Sequence, residues 1–226
     1  QVPGNKNVQG DAAYIRVGGA ADEAGLQRAR ELLTDTLTWD LTDQGTRELY
    51  LTHRLIARKA GFADLLQAFA DRGGFAKDAL TDGSDRRIAF FLEKVEPLAQ
   101  AWENGQIGET LGRLHGAGHR LASRAAKSGV RDALNTLIDK RGSGTVGDVL
   151  ETIRDRQLFP LTDDLSTRLG NNQPILTAEM DEAEKEREQA DAKLCAALFA
   201  LPYAQVAAFA RFFMTNTPFA TKHGVK

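Results

Sequence analysis

From about residue 62 to 214, apolar positions recur every three or four residues between short polar breaks, the pattern of amphipathic helices. It predicts helices over 62–71, 85–104, 107–115, 120–127, 131–139, 145–155, 161–169, 177–201 and 202–214. Several starts carry capping chemistry. Ser84 or Asp85, Thr145 and Thr177 each precede a periodic run, and the acids after Thr177 sit where a helix dipole favours them. Upstream the period changes. Residues 11–17 alternate as a strand and Gly18-Gly19 turns it, whereas 22–37 place Ala24, Leu26, Ala29, Leu32 and Leu33 on one helical face. Residues 48–52 read as a second strand and 219–221 as a third. Strand, helix and strand at this spacing predict a right-handed parallel crossover. The expected fold class is α/β: a parallel sheet of about three strands, interrupted by a large all-helical insertion that makes the chain predominantly helical. The expected domains are 1–63 with 215–226 for the sheet part, and 64–214 for the insertion.

Composition narrows the functional classes. The 226 residues are 42% hydrophobic and 27% charged, as in ordinary globular proteins, and the net charge of -2 offers no global attraction to nucleic acid. Any such affinity must come from local patches. The single cysteine, Cys195, excludes an internal disulfide and a cysteine-based zinc cluster, and its apolar setting predicts a buried helical thiol. The longest apolar tract, 194–213, is interrupted by Pro202, Gln205 and Arg211, which predicts two core helices and no membrane span. No basic segment followed by an apolar stretch opens the chain, so the expected compartment is the cytoplasm.

Two short segments carry a family resemblance. Leu51-Thr-His-Arg54, continuing as Leu-Ile-Ala-Arg-Lys-Ala-Gly-Phe62, resembles the strand and helix start that opens the second motor domain of UvrD/Rep-type superfamily 1 DNA helicases. Ala220-Thr-Lys-His-Gly-Val-Lys226 resembles the first half of that family's T-x-H-x-x-K-G-L-E-F motif. The resemblance implies a partial RecA-like motor domain with a helical insertion subdomain, cut from an ATP-dependent helicase that moves along single-stranded DNA and unwinds duplex. It implies ATP and magnesium in the parent protein. No G-x-x-x-x-G-K-[ST] loop occurs in the chain, so no cofactor is expected here and ATP turnover is assigned to a missing first motor domain. Single-stranded and duplex DNA and that missing domain are the implied partners. The alternative is a non-catalytic α-helical module that binds DNA or another protein.

The resemblance also nominates residues. Arg54 and Arg58 would face the cleft between motor domains, where an arginine stabilises phosphate charge; an exposed helix start with a structural ion pair explains them as well. Thr221 and His223 would contact the single strand, against the plain reading of His223 as a turn residue. Asp139-Lys-Arg-Gly-Ser-Gly-Thr145 resembles a glycine loop that the family sets against the duplex backbone. Lys140, Arg141, Gly142, Gly144 and Thr145 would then form an anion site, unless they are an ordinary helix-helix turn.

Charge is locally uneven. Arg113, Arg120, Arg124, Lys127, Arg131, Lys140 and Arg141 face only Asp132 and Asp139 over 113–141, whereas 177–193 is rich in acids that suit a solvated helix face. A basic insertion with an acidic helix would point its basic side at nucleic acid. His115 and His119 have the spacing of a metal pair, but Gly116 and Gly118 disfavour the helix it needs and no further ligand is near in sequence, so no metal is expected.

Overall fold

Phe62 meets Phe209 edge-on at 5.2 Å between ring centroids and Phe212 at 5.4 Å, closing the two ends of a helical body onto each other. The computed structural model describes residues 14–16, 23–39, 41, 53–171 and 173–215, and the chain divides into two units, Gln1–Tyr50 and Leu51–Lys226. In the first unit the amphipathic run forms α1 (Glu23–Leu37). Residues 14–16 have no regular structure, and no strand occurs among the described residues. That finding overturns the α/β expectation: the described chain is helical, without a RecA-like parallel sheet. The anticipated strands at 48–52 and 219–221 lie outside the described residues.

The second unit opens with α2 (His53–Ala60), α3 (Ala63–Arg72) and α4 (Gly74–Thr81). Its helical body therefore starts before the expected boundary at 64, because α2 buries Ala57 and packs on α3 and α12. Gly61 at φ +88 and Gly73 at φ +127 make the two corners, conformations that side chains other than glycine rarely adopt. α5 (Arg86–Phe90) is capped as expected by Asp85, whose carboxylate accepts from the Arg87 and Ile88 N–H groups. A π-helical turn, Phe91–Val95, then leads into α6 (Glu96–Glu103). Pro97 explains it: its ring lacks an N–H and crowds the carbonyl four residues back, and the wider turn absorbs both defects.

α7 (Ile107–Gly116) is followed by α8 (Arg124–Ser143), one continuous helix where the periodicity predicts two. Gly129 does not break it, since Ser123 caps its start and Leu134 and Leu137 anchor its second half in the core. α9 (Val146–Asp155), α10 (Asp163–Gly170), α11 (Glu182–Ala200) and α12 (Tyr203–Thr215) complete the body. α11 starts at a capping box of Asp181 and Glu184, four residues beyond the expected cap Thr177. The α8–α9 corner is pinned to the α11–α12 corner by Val146 N–H to Leu201 O and Tyr203 N–H to Gly144 O, both 2.9 Å. Around that pin the core gathers Phe91, Leu98, Leu137, Leu150, Leu198 and Phe209.

Candidate nucleic-acid interface

A cleft of about 650 Å³ opens between α2, α3 and α4 and is lined by His53, Arg54, Arg58, Asp64, Gln67 and Lys77 together with small and apolar residues. Arg54 and Arg58 lie four apart on α2, one turn of helix, so both reach the same opening. Lys77 enters from α4. The cleft thus sets three permanent cations against the single carboxylate of Asp64. Arg54 Nη2 donates to Gln67 Oε1 at 2.8 Å, and Gln67 Nε2 donates to Asp71 Oδ1 at 2.6 Å, which holds that guanidinium in one orientation. Among the described residues, neither Arg58 nor Lys77 has a side-chain ion pair. Such an arrangement has the charge and donor geometry to hold a phosphate: one fixed planar fork and two adjustable cations on a half-open wall.

A distant residue shapes the wall opposite α2. Phe62 cannot cap α3, so Gln205 of α12 does, its Oε1 accepting from the Asp64 and Leu65 N–H groups, each at 3.0 Å. Its Nε2 donates to Asp64 Oδ2 at 2.6 Å. Gln205 thereby fixes the cleft's carboxylate while filling the donors at the helix start.

The second expected site is organised differently. Lys140, Arg141 and Gly142 belong to the last turn of α8, so the anticipated glycine loop is helix up to Ser143. Arg141 turns inward: its Nε and Nη2 donate to the two carboxylate oxygens of the buried Glu96, each at 2.8 Å, and Nη1 meets Glu103 at 2.9 Å. Tyr203 donates its hydroxyl to Glu96 Oε1 at 2.9 Å. Hydrogen bonding to Glu96 holds the Arg141 pKa above its ordinary value against the effect of burial, while burial beside Glu96 pushes the Tyr203 phenol well up. Gly144 is a packing requirement, because a Cβ there would lie 2.8 Å from the Lys140 carbonyl oxygen. Thr145 caps α9 and Asp148 returns the bond to the Thr145 N–H, so a carboxylate already occupies that helix start. Of the five residues only Lys140 and Gly142 are exposed.

Thr221 and His223 lie outside the described residues. His115 is exposed at the end of α7, whereas His119 Nε2 is bonded to the Leu158 carbonyl at 3.0 Å. No group of metal-binding side chains occurs among the described residues. Cys195 is buried, and burial pushes its thiol up to about 11. It adjoins a buried ion cluster in which Arg87 Nη2 meets Asp191 at 2.7 Å and Arg168 Nη2 meets Glu188 at 2.6 Å, tying α5 and α10 to α11. Among the described residues no helix is long and apolar enough to cross a membrane.

Arg54 and Arg58, expected at a cleft between motor domains, line one between α2, α3 and α4, and Lys77 and Gln67 beside them and Gln205 behind Asp64 carry no motif. Lys77 follows a Gly-Gly pair that hides α4, and Gln205 reads as a polar interruption in an apolar helix. Compared with known proteins, the chain matches no family model, and neither a curated protein nor a solved structure is detectably similar to it.

Proposed function

We propose that the chain is the DNA-handling segment of a UvrD/Rep-like ATP-dependent helicase, in which the helical body is inserted between two motif-bearing segments and contacts the phosphate backbone. One observation carries the reading. Arg54 and Arg58 line a cationic cleft at the place where the helical body begins, and the body also ends there, since His53 and Phe212 line one small cavity. An inserted module needs adjacent ends, because both must rejoin the same host structure. The segments that resemble helicase motifs, 48–54 and 218–226, attach at those ends. In this reading a single strand lies along the cleft, Arg54 supplies a bidentate phosphate contact, and Arg58 and Lys77 add charge. ATP and magnesium belong to the parent's first motor domain, and the protein works in the cytoplasm.

The test is binding of a labelled single-stranded oligonucleotide to the 226-residue chain. Arg54→Ala with Arg58→Ala and Lys77→Ala should weaken binding and flatten its salt dependence by about two units of slope, at roughly 0.7 for each phosphate no longer neutralised. Affinity and slope that stay at wild-type values would sink the assignment. DNA-stimulated ATP turnover by this chain alone would sink the division of labour with the first motor domain.

A further inference from the structure

A separate cleft of about 340 Å³ opens where the π-helical turn after α5, the end of α7 and the loop from α9 to α10 meet. That volume lies at the low end of the range for small-molecule sites, about 300–1,000 Å³. Phe90, Ala117, Phe159 and Pro160 form its apolar lining, and the two phenylalanines are buried, so the deep part is aromatic. The loop is firmly placed. Gln157, at φ +52, makes the reversal after α9 that glycine usually makes, Leu158 anchors in the core, and His119 Nε2 is bonded to the Leu158 carbonyl at 3.0 Å. Phe159 and Pro160 are thereby held against the end of α7.

The charged groups sit at the exposed side. Glu93 and Lys94 are consecutive and both exposed on the π-helical turn, and neither has an ion pair among the described residues. Arg113 enters from α7. Glu109 Oε1 accepts from its Nε at 3.2 Å and its Nη2 at 2.7 Å, which orients the guanidinium and leaves Nη1 without a partner among the described residues. The mouth therefore carries two permanent cations with unspent donors against one acid, above an aromatic floor.

We infer that this cleft binds a small aromatic carboxylate, with the ring against Phe90 and Phe159 and the carboxylate at Lys94 and Arg113. The site is independent of the α2–α4 cleft and of the nucleic-acid reading. A neutral apolar ligand would leave the cationic donors unused, and a bare anion would leave the aromatic floor uncovered. A nucleotide fits less well, because the polar edges of a base would be buried against Phe90, Phe159 and Pro160 without hydrogen-bond partners.

The test titrates the wild-type chain with naphthoate, with its neutral counterpart naphthalenemethanol and with acetate, following heat and backbone-amide NMR shifts. Naphthoate should bind saturably, with its largest shifts at Lys94, Gly116, Ala117 and Phe159. The alcohol should bind at least about tenfold more weakly, the loss expected with a charge-assisted hydrogen bond, and acetate should not bind. Lys94→Gln with Arg113→Gln should bring the acid down to the alcohol's level, whereas the Arg54, Arg58 and Lys77 alanine variant should bind naphthoate as the wild type does. Should the double variant not fold, by circular dichroism, Lys94→Gln alone should still lower naphthoate affinity several-fold and leave the alcohol's unchanged. Absence of saturable naphthoate binding up to about 5 mM overturns the site. Equal binding of acid and alcohol also overturns it, because it would report apolar contact alone. Largest shifts at the α2–α4 cleft would overturn it too, and would leave the phosphate reading of that cleft standing.

Discussion

Arg141 and Glu96 stand 45 residues apart and meet as a buried bidentate pair, each of the two N–H···O contacts 2.8 Å long. The pair joins α8 to α6, and the Tyr203 hydroxyl adds α12 to the same carboxylate. Replacing Arg141 with Ala leaves Glu96 buried without its cation, a change that costs roughly 3–5 kcal/mol. Arg141→Ala should therefore lower the thermal midpoint sharply, yet leave DNA affinity unchanged when measured well below that midpoint. A variant that keeps wild-type stability but loses DNA binding would return Arg141 to the ligand surface. Thermal melts alongside oligonucleotide titrations give both readouts.

That contrast also shows how much of the fold is legible in the chain itself. Local signals are legible: Asp85 and Thr145 cap the helices they are expected to cap. Each depends on neighbours within one turn. The destination of Arg141 is not legible, because a cation beside two glycines reads as a loop and nothing local points to Glu96. α4 is hidden for a similar reason, since Gly73-Gly74 reads as a long turn, although Gly73 alone makes the corner and Gly74 starts the helix. The expected sheet fails where strand-like alternation over 11–17 leads to no pairing at the described residues 14–16. Short alternation is weak evidence until a partner strand is present.

Two glycines should respond in opposite directions to alanine. Gly129 is helical with open space where a Cβ would point, so Gly129→Ala should stabilise α8 by about 0.5–1 kcal/mol. For a chain of this size that raises the thermal midpoint by a few degrees at most. Gly83 has φ +73, and a Cβ there would lie 2.6 Å from the Phe213 ring. Gly83→Ala should cost about 1–2 kcal/mol from the backbone alone, with the ring overlap adding to it. Melts in which both variants move the same way would contradict these placements.

The capping box at α9 predicts an acid-side loss of stability. The backbone hydrogen bond from Thr145 holds the Asp148 carboxyl below its ordinary value of 3.8. The folded state thus favours the ionised form, so the contribution is full above the unfolded value and is lost as pH falls through the lower folded value. Asp148→Ala should be less stable than wild type at neutral pH, and the gap should narrow as pH drops below about 4. Denaturant midpoints across that range check it; a gap that stays constant down to the lowest pH would show that Asp148 acts by packing alone.

Asp64 is the carboxylate that the cleft holds among its cations, and its role can be separated from theirs by sign. Gln205 Nε2 fixes Asp64 Oδ2 at 2.6 Å, so the negative charge is held at the opening where a phosphate would approach Arg54 and Arg58. Like charge at that place lowers affinity, though exposure and salt screen the effect. Asp64→Asn keeps the shape and a side-chain acceptor for Gln205, and it removes the charge. Single-strand affinity should therefore rise a few-fold at low salt, and the gain should shrink as salt increases, while alanine at Arg54 or Arg58 moves affinity the other way. If Asp64→Asn weakens binding instead, the strand does not pass over this cleft, and the phosphate contacts lie elsewhere on the helical body.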